Sequence, residues 1–283
     1  MHMKKMFALL TALIISGLVI AQDYLNVMTF NIRYNNPGDS ANAWPHRKDL
    51  VASQILFHQA HIVGLQEALH GQITDLQQRL PQYKNLGVGR DGGEKGEYSA
   101  IFYDTTRLQL IDGQTFWLSQ TPDVVASVGW DAALTRIVTW AKFRDRKTKK
   151  TFYHFNTHFD HRGPNARRES ARLLLEQVQK IAGKTVSITT GDFNSRPHDE
   201  PIKVIVDANN PLHLTDCKAV SAQPHYGPTG TFNGFRSKEV DDFPIDYIFI
   251  KNGGKVLQHA TLSQTWGGRF SSDHFPVFAR IIL

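Results

Sequence analysis

The chain has 283 residues, of which 41% are hydrophobic, 20% charged and 11% aromatic, and its formal charge is +6. This composition is typical of a globular protein and excludes a disordered or fibrous chain. The positive charge is modest: it suits an anionic substrate without specifying one. The sequence contains no Pro/Ser-rich linker, charge block or internal repeat, so it predicts one large domain. Because Cys217 is the single cysteine, no intrachain disulfide can form and the fold must rely on its core.

The first residues have the layout of a secretory signal peptide. Lys4 and Lys5 precede an apolar run from Phe7 to Ile20, after which the chain turns polar. The alternative is an uncleaved anchor, but the run is short for a membrane span. We therefore predict a signal peptide over residues 1–21, a mature domain over residues 22–283, no stable membrane anchor and a periplasmic or secreted location. Cleavage would lower the formal charge from +6 to +4, because both lysines are lost and no acid is.

Strands and helices alternate in the first third of the chain. The apolar patterns there predict strands over 24–30 and 62–65, and helices over 44–59 and 71–80.

The rest of the chain is rich in strands. A helix is predicted over 167–181, and strands over 99–103, 108–118, 137–143, 151–159, 185–190, 245–250, 255–262 and 275–282. The basic run 144–150 joins two of these strands; we favour a solvated hairpin tip over a polyanion contact. Mixed strand order with helices between implies an α/β architecture with two sheets.

Polar side chains stand where these apolar strands begin or end. Each one alone has an ordinary explanation as a turn former, a cap or a half-buried histidine. In an open α/β sheet, however, the ends of the strands line one crevice, so the set together predicts a site. Its members are Asn31, Glu67, His158, Asp192, Asn194, Asp246, Asp273 and His274.

The segment TTGDFNSRP (189–197) shows the pattern most clearly. Asp192 and Asn194 occupy alternate positions, so on an extended exit both side chains point to one side, into the crevice. Phe193 then points to the other side and packs against apolar neighbours.

Seven ordered segments resemble the endonuclease/exonuclease/phosphatase superfamily, whose members resemble DNase I. Together with the signal-peptide layout, they predict an exported bacterial member of this superfamily. The resemblance implies a DNase I-like four-layer sandwich, with two packed mixed β-sheets flanked by helices, and a metal-dependent phosphoric ester hydrolase. The segments are MTFNIRY (28–34), GLQE (64–67), EYSAIFYD (97–104), NTHFD (156–160), GDFNS (191–195), IDYIF (245–249) and SDHFPV (272–277).

The metal in such enzymes is a hard divalent ion, Mg²⁺ or Mn²⁺, which prefers few carboxylates plus waters. Glu67 suits this best, and the resemblance implies Asn31 and Asp273 as supporting ligands. The sequence has no CxxC or HExxH spacing, so a zinc site of that type is not supported.

The resemblance also assigns the catalytic groups. It implies that His274 acts at the phosphate with Asp246 as its carboxylate partner, and that His158 is the second imidazole, supported by Glu97. Asn194 can donate to a phosphate oxygen. Asp192 can accept the proton of the attacking water or bind a second cation, and whether Asp192 or the Asp246–His274 pair is the general base stays open.

Substrate choice must come from the loops, because the central motifs read only the phosphate. Arg167 at a helix start and the loop residues Trp266, Arg269 and Phe270 are candidate substrate contacts. The segment 231–236 is a candidate facing wall, with loop packing as the alternative.

We predict a monomeric, exported phosphoesterase acting on a small or single-stranded phosphate ester. The alternatives are a secreted nuclease, for which the partner is DNA or RNA, and a non-catalytic member that keeps the fold as a binding surface.

Overall fold

The computed structural model describes residues 23–236 and 242–283. The predicted signal peptide lies outside these residues. Within the described ranges, no helix has the length and hydrophobicity needed to cross a bilayer.

The first of two six-stranded sheets has the order β11-β12-β1-β2-β4-β3. Strands β1 and β2 are parallel at its centre, whereas the other pairs are antiparallel. The strands are β1 (Leu25–Asn31), β2 (Ile62–Gln66), β3 (Tyr83–Leu86), β4 (Ile101–Asp104), β11 (Lys255–Thr261) and β12 (Val277–Ile282).

The second sheet repeats this arrangement with the order β5-β6-β7-β8-β10-β9. Its central pair, β7 and β8, is again parallel, and its other pairs are antiparallel. The strands are β5 (Leu108–Trp117), β6 (Ile137–Asp145), β7 (Thr151–His158), β8 (Ser187–Asp192), β9 (Thr215–Asp216) and β10 (Asp246–Lys251).

Helices cover the outer face of each sheet. One apolar cluster joins α1 and α2 to the outer face of the first sheet, and another joins α3 and α4 to the second sheet. A third cluster, with Val27, Phe152 and Ile248 among its members, fills the space between the sheets. The predicted four-layer sandwich is therefore confirmed. The helices are α1 (Lys48–Phe57), α2 (His70–Arg79), α3 (Pro164–Ala182) and α4 (Glu200–Val206).

The layer between the sheets changes from apolar to polar along the strands. In β1, alternate residues face this layer, so Leu25 and Val27 lie in the apolar cluster and Asn31 comes at the far end. Between these ends lies a band of hydrogen-bonded polar groups, in which Asn156 of β7 is central. Its amide nitrogen donates across the gap to the backbone oxygens of Leu65 and Ala100, at 2.8 and 2.9 Å.

Several boundaries differ from the sequence predictions. The first helix begins at Lys48, four residues later than expected, because Trp44–His46 forms a 3₁₀ turn that contains Pro45. The sequence patterns also missed β3, α4 and β9. These three elements are short, and two exposed polar residues interrupt the apolar pattern of β3.

The basic run 144–150 includes the tip of the β6–β7 hairpin. There the carboxylate of Asp145 accepts from the guanidinium of Arg107 at 2.8 and 2.9 Å, whereas Arg144 and Lys149 are exposed. The tip lies at the opposite end of β7 from His158, about 23 Å away at about 3.3 Å per residue. A solvated tip, as favoured from the sequence, therefore agrees with the structure.

A pair of glycine substitutions tests the polar band. A Cβ on Gly64 in β2 would overlap the side-chain oxygens of Thr190 and Asn156, whereas a Cβ on Gly71 in α2 would meet no atom. We expect Gly64→Ala to lower the free energy of unfolding by about 3 kcal/mol, because it forces the two sheets apart and breaks buried hydrogen bonds. Gly71→Ala should raise it by up to about 1 kcal/mol.

Urea unfolding followed by circular dichroism measures both changes. Equal unfolding midpoints for the two variants would show that the polar band tolerates extra volume and does not fix the distance between the sheets.

Candidate active site

The polar strand ends meet at one edge of the sandwich. The carboxyl ends of the two parallel pairs point to this edge, and the antiparallel strands β10 and β12 start there. A cleft of about 700 Å³ opens at this place. Most of the predicted catalytic and metal-binding residues line it, namely Glu67, Glu97, His158, Asp192, Asn194, Asp273 and His274. The remaining two, Asn31 and Asp246, are buried and bonded to these residues.

Three of the residues that shape this edge have a left-handed backbone. The φ angles of Arg33, Glu67 and Asn194 are 56°, 62° and 46°. Such angles are uncommon outside glycine and concentrate at functional sites, where surrounding contacts must hold them. Here each follows a strand end within two residues and turns the chain sharply beside the cleft.

Asp246 and His274 form a buried pair. His274 Nδ1 lies 2.9 Å from Asp246 Oδ2, which also accepts the Thr231 hydroxyl at 2.6 Å. Burial alone would lower the pKa of His274, but the carboxylates of Asp246, Asp192 and Asp273 outweigh it and raise that pKa well above its usual value. The ring therefore carries a positive charge at neutral pH.

Asp192 occupies the centre of the site. Its carboxylate accepts from Asn31 Nδ2 at 2.9 Å and from the backbone N–H of Asn194 at 2.9 Å. Burial, and then the neighbouring Asp246, raise the pKa of Asp192 to about 7. A carboxyl group with this pKa can accept a proton near neutral pH.

His158 lies on the other side of Asp192. Its Nε2 accepts from Asn194 Nδ2 at 3.0 Å, and burial together with Arg136 and Arg90 holds its pKa well below the usual value. The ring is therefore neutral and leaves the acid–base work at neutral pH to other groups. As the alternation of TTGDFNSRP predicts, Phe193 turns away from the site and packs on Phe159 and Phe249.

The two predicted metal-binding carboxylates approach one cation already present in the chain. The Arg33 guanidinium lies 4.0 Å from Glu67 and 3.7 Å from Asp273. The side chain of Asn31 is not oriented as a metal ligand. Its amide nitrogen donates to the Glu67 carboxylate at 3.1 Å, and its oxygen accepts the backbone N–H of Arg33 at 3.0 Å. In this arrangement Asn31 connects Glu67 to Asp192, and its role as a ligand stays a prediction.

A fully buried arginine, 0% exposed, holds the loops that carry these residues. The Arg47 guanidinium donates to the backbone oxygens of Ile32 and Ser271 at 2.8 and 2.7 Å, and to Asn42 O at 2.5 Å. Burial lowers the pKa of Arg47 to about 10, so it stays charged at neutral pH. Arg47 thus fixes the chain that follows Asn31 against the chain that precedes Asp273.

Two further arginines, which no sequence motif marks, line the cleft beside His158. Arg90 pairs with Glu97 at 2.8 Å, and Arg136 lies 3.5 Å from Asp160 and 3.1 Å from His161 Nδ1. Glu97 therefore bonds to Arg90 and not to His158, the partner that the resemblance implies. The Nε atom of Arg136 is buried without a hydrogen bond within the described ranges, and it lies 3.5 Å from Asp160 Oδ2, so this carboxylate offsets its charge.

The four predicted substrate contacts do not line the cleft. Arg167 donates to the backbone oxygen of Asp160 at 3.2 Å. Trp266 and Arg269 exchange backbone hydrogen bonds around a tight Gly-Gly turn that projects into solvent, and Phe270 is buried against Phe275. Their role as substrate contacts stays a prediction.

The predicted facing wall does contribute to the lining of the cleft. Phe232, within the segment 231–236, lines the cleft, is 41% exposed and packs edge-on against the His274 ring at 5.1 Å. It is therefore the exposed aromatic side chain nearest the reacting groups. The composition of this segment, with Phe232 between Thr231 and Asn233, was the only signal for it in the sequence.

A second group could also hold a cation. Asp192, Asp246 and His274 offer ligand atoms within 4.8 Å of one another. Asp246 Oδ2 accepts both from His274 and from Thr231, whereas Asp246 Oδ1 has no hydrogen-bond partner among the described residues. The metal therefore has two candidate positions, and binding by Glu67 and Asp273 stays a prediction.

Comparisons with known proteins agree with this geometry. The model of the endonuclease/exonuclease/phosphatase family matches residues 28–274. An endonuclease/exonuclease/phosphatase from Bacteroides vulgatus is 40% identical, with a TM-score of 0.88 over 93% of this chain and 100% of that one. A mannosyl-6-phosphatase from Bacteroides thetaiotaomicron is 36% identical, with a TM-score of 0.87 over 92% and 100%.

More distant similarities include two eukaryotic proteins. The Drosophila melanogaster protein angel is 27% identical over 264 residues, which are 88% of this chain and 70% of that protein. The catalytic domain of human Nocturnin, 22% identical with a TM-score of 0.71 over 91% and 94% of the two chains, shares the fold. The chain therefore belongs to the endonuclease/exonuclease/phosphatase family, whose members hydrolyse phosphoester bonds.

Proposed function

We propose that this chain is an exported, divalent-metal-dependent phosphoesterase whose substrate is a small phosphate ester, with a sugar phosphate monoester as the favoured class. The observation that carries the proposal is the composition of the cleft. Three arginines, Arg33, Arg90 and Arg136, surround the catalytic groups within about 700 Å³, and one exposed aromatic ring, Phe232, stands beside them. Four carboxylates line the same cleft, so the guanidinium groups offer local hydrogen-bond donors to one compact anion without making the cleft positive as a whole.

Glu67 and Asp273 fit a bound Mg²⁺ or Mn²⁺. They are hard oxygen donors, and they already approach one cationic group from two sides. The bound ion would supply charge to offset that on the phosphoryl and leaving oxygens.

The remaining groups then handle the phosphate and the protons. The charged His274 ring donates to a phosphate oxygen, and Asp246 holds that ring in position. Asp192, with its pKa raised to about 7, accepts the proton of a water aligned between His274 and His158. Asn194 keeps Asp192 and His158 in place through its backbone and side-chain N–H groups.

The preference for a small monoester has two supports. One is the similarity to the Bacteroides thetaiotaomicron mannosyl-6-phosphatase, which the chain matches over nearly its whole length. The other is the position of the basic run 144–150 at the far end of β7, where it cannot extend a basic face from the cleft. Tight duplex binding usually needs many phosphate contacts along such a face.

A secreted nuclease remains the second candidate function. The family includes endonucleases and exonucleases, and the cleft is open at the surface. The two functions differ in what they need beyond the scissile phosphate, so a substrate comparison separates them.

His274 provides the first prediction of the mechanism. His274→Ala should lower turnover by about 10²–10³-fold, as expected for one preorganised polar group, while the protein still folds. Asp246→Asn should also lower kcat, because the His274 ring loses its carboxylate partner. The measurement is kcat on the best substrate, with circular dichroism as the folding control. Near-normal turnover in folded His274→Ala protein would remove His274 from the mechanism.

The substrate is tested by a paired comparison in Mg²⁺ or Mn²⁺. We expect release of phosphate from mannose 6-phosphate to be faster than release of nucleotide from oligo(A), with little nicking of supercoiled plasmid and loss of all activity in EDTA. Arg136→Gln should raise KM for the monoester, since it replaces a buried, positively charged guanidinium with a neutral carboxamide. Efficient plasmid degradation that falls steeply with salt would favour the nuclease instead.

Export rests on the signal-peptide layout of residues 1–21. N-terminal sequencing of the protein from its native host should begin at or near Gln22. An intact Met1 on protein recovered from the membrane fraction would contradict export.

A further inference from the structure

A second groove lies outside the catalytic cleft. It covers part of the outer face of β11 and β12 beside the end of α1, and has a volume of about 510 Å³. We call it the amide groove, after the carboxamide side chains in its lining, Gln59, Gln223, Gln258 and Gln264. The active site lies between the two sheets, so the amide groove occupies a different layer of the sandwich.

Two exposed aromatic rings belong to the lining of this groove. Phe57, at the end of α1, is 80% exposed, and Tyr226 is 70% exposed. Below the rim, the His58 ring packs edge-on against Phe57 at 5.2 Å and lies 5.8 Å from Phe278. Exposing large rings to water is unfavourable, and such rings around a concavity indicate a binding surface.

The polar part of the lining is almost uncharged. No Asp, Glu or Lys is among the described residues that line the groove, and its single arginine is occupied. Arg280 donates to Asn26 Oδ1 at 3.2 Å and stacks over the Tyr24 ring at 4.2 Å. Gln258 and Gln223 hydrogen-bond to each other at 2.8 Å, which holds both carboxamides in place.

We propose that the amide groove binds a neutral saccharide. An anion would find a single cation there, Arg280, which already contacts Asn26 and Tyr24, and a purely apolar ligand would cover the carboxamide donors and acceptors that the Gln258–Gln223 bond leaves unused. A pyranose matches both features, because its C–H face stacks on an aromatic ring and its hydroxyls pair with the donors and acceptors of carboxamides. The groove volume lies within the range of small-ligand sites. The proposal does not depend on the function proposed for the cleft.

Titration calorimetry with neutral trisaccharides tests the proposal. The probes are mannotriose, maltotriose, xylotriose and cellotriose, each added to the full chain. We expect at least one to bind, and Phe57→Ala and Tyr226→Ala each to weaken that binding by about tenfold, because each removes one stacking face. Leu56→Ala removes the neighbouring exposed side chain, which does not line the groove, and should bind as the wild type.

His274→Ala should also bind the trisaccharide normally, which separates this site from the catalytic cleft. If no trisaccharide binds, or if neither aromatic substitution changes the affinity, the proposal is overturned. It is also overturned if sedimentation shows a concentration-dependent dimer that Phe57→Ala and Tyr226→Ala abolish, since the rings would then form a contact between two copies of the chain.

Discussion

The cross-sheet hydrogen bonds of Asn156 are the constraint on which the site depends. Asn156 belongs to the second sheet, but its amide nitrogen donates to two backbone oxygens of the first sheet and its oxygen accepts from Gln66 at 2.7 Å. Buried amides are costly unless they are paired, so these bonds allow one relative position of the sheets. That position brings Asn31 of one sheet within 2.9 Å of Asp192 of the other.

The active site lies in the same layer between the two sheets, and it consists of ionisable groups. Two buried carboxyl groups, Asp192 and Asp246, lie close together and would repel each other if both were charged. The charged ring of His274, close to both, offsets this repulsion. The arrangement yields two groups with opposite tendencies at neutral pH, an imidazole that keeps its proton and a carboxyl group that can take one.

The strand-exit residues were predictable because their position follows from the strand period and from the meeting of strand ends at one edge. Arg47, Arg90 and Arg136 were not predictable in this way, because only tertiary structure brings their chain segments to the site. The loop that carries Trp266 is adjacent to Asp273 in sequence, but its Gly-Gly turn is exposed and lies outside the cleft lining. Contact of this loop with a substrate therefore stays a prediction.

We propose that Glu67 and Asp273 hold the metal while His274 and His158 face the phosphate. Anomalous diffraction from crystals grown with Mn²⁺ and inorganic phosphate tests this arrangement directly. We expect a manganese peak at coordination distance from both carboxylates, about 2.0–2.6 Å, with phosphate against the two imidazoles. The peak should be absent in Glu67→Gln crystals. A peak bonded instead to Asp192, Asp246 and His274, and retained in Glu67→Gln, would contradict it.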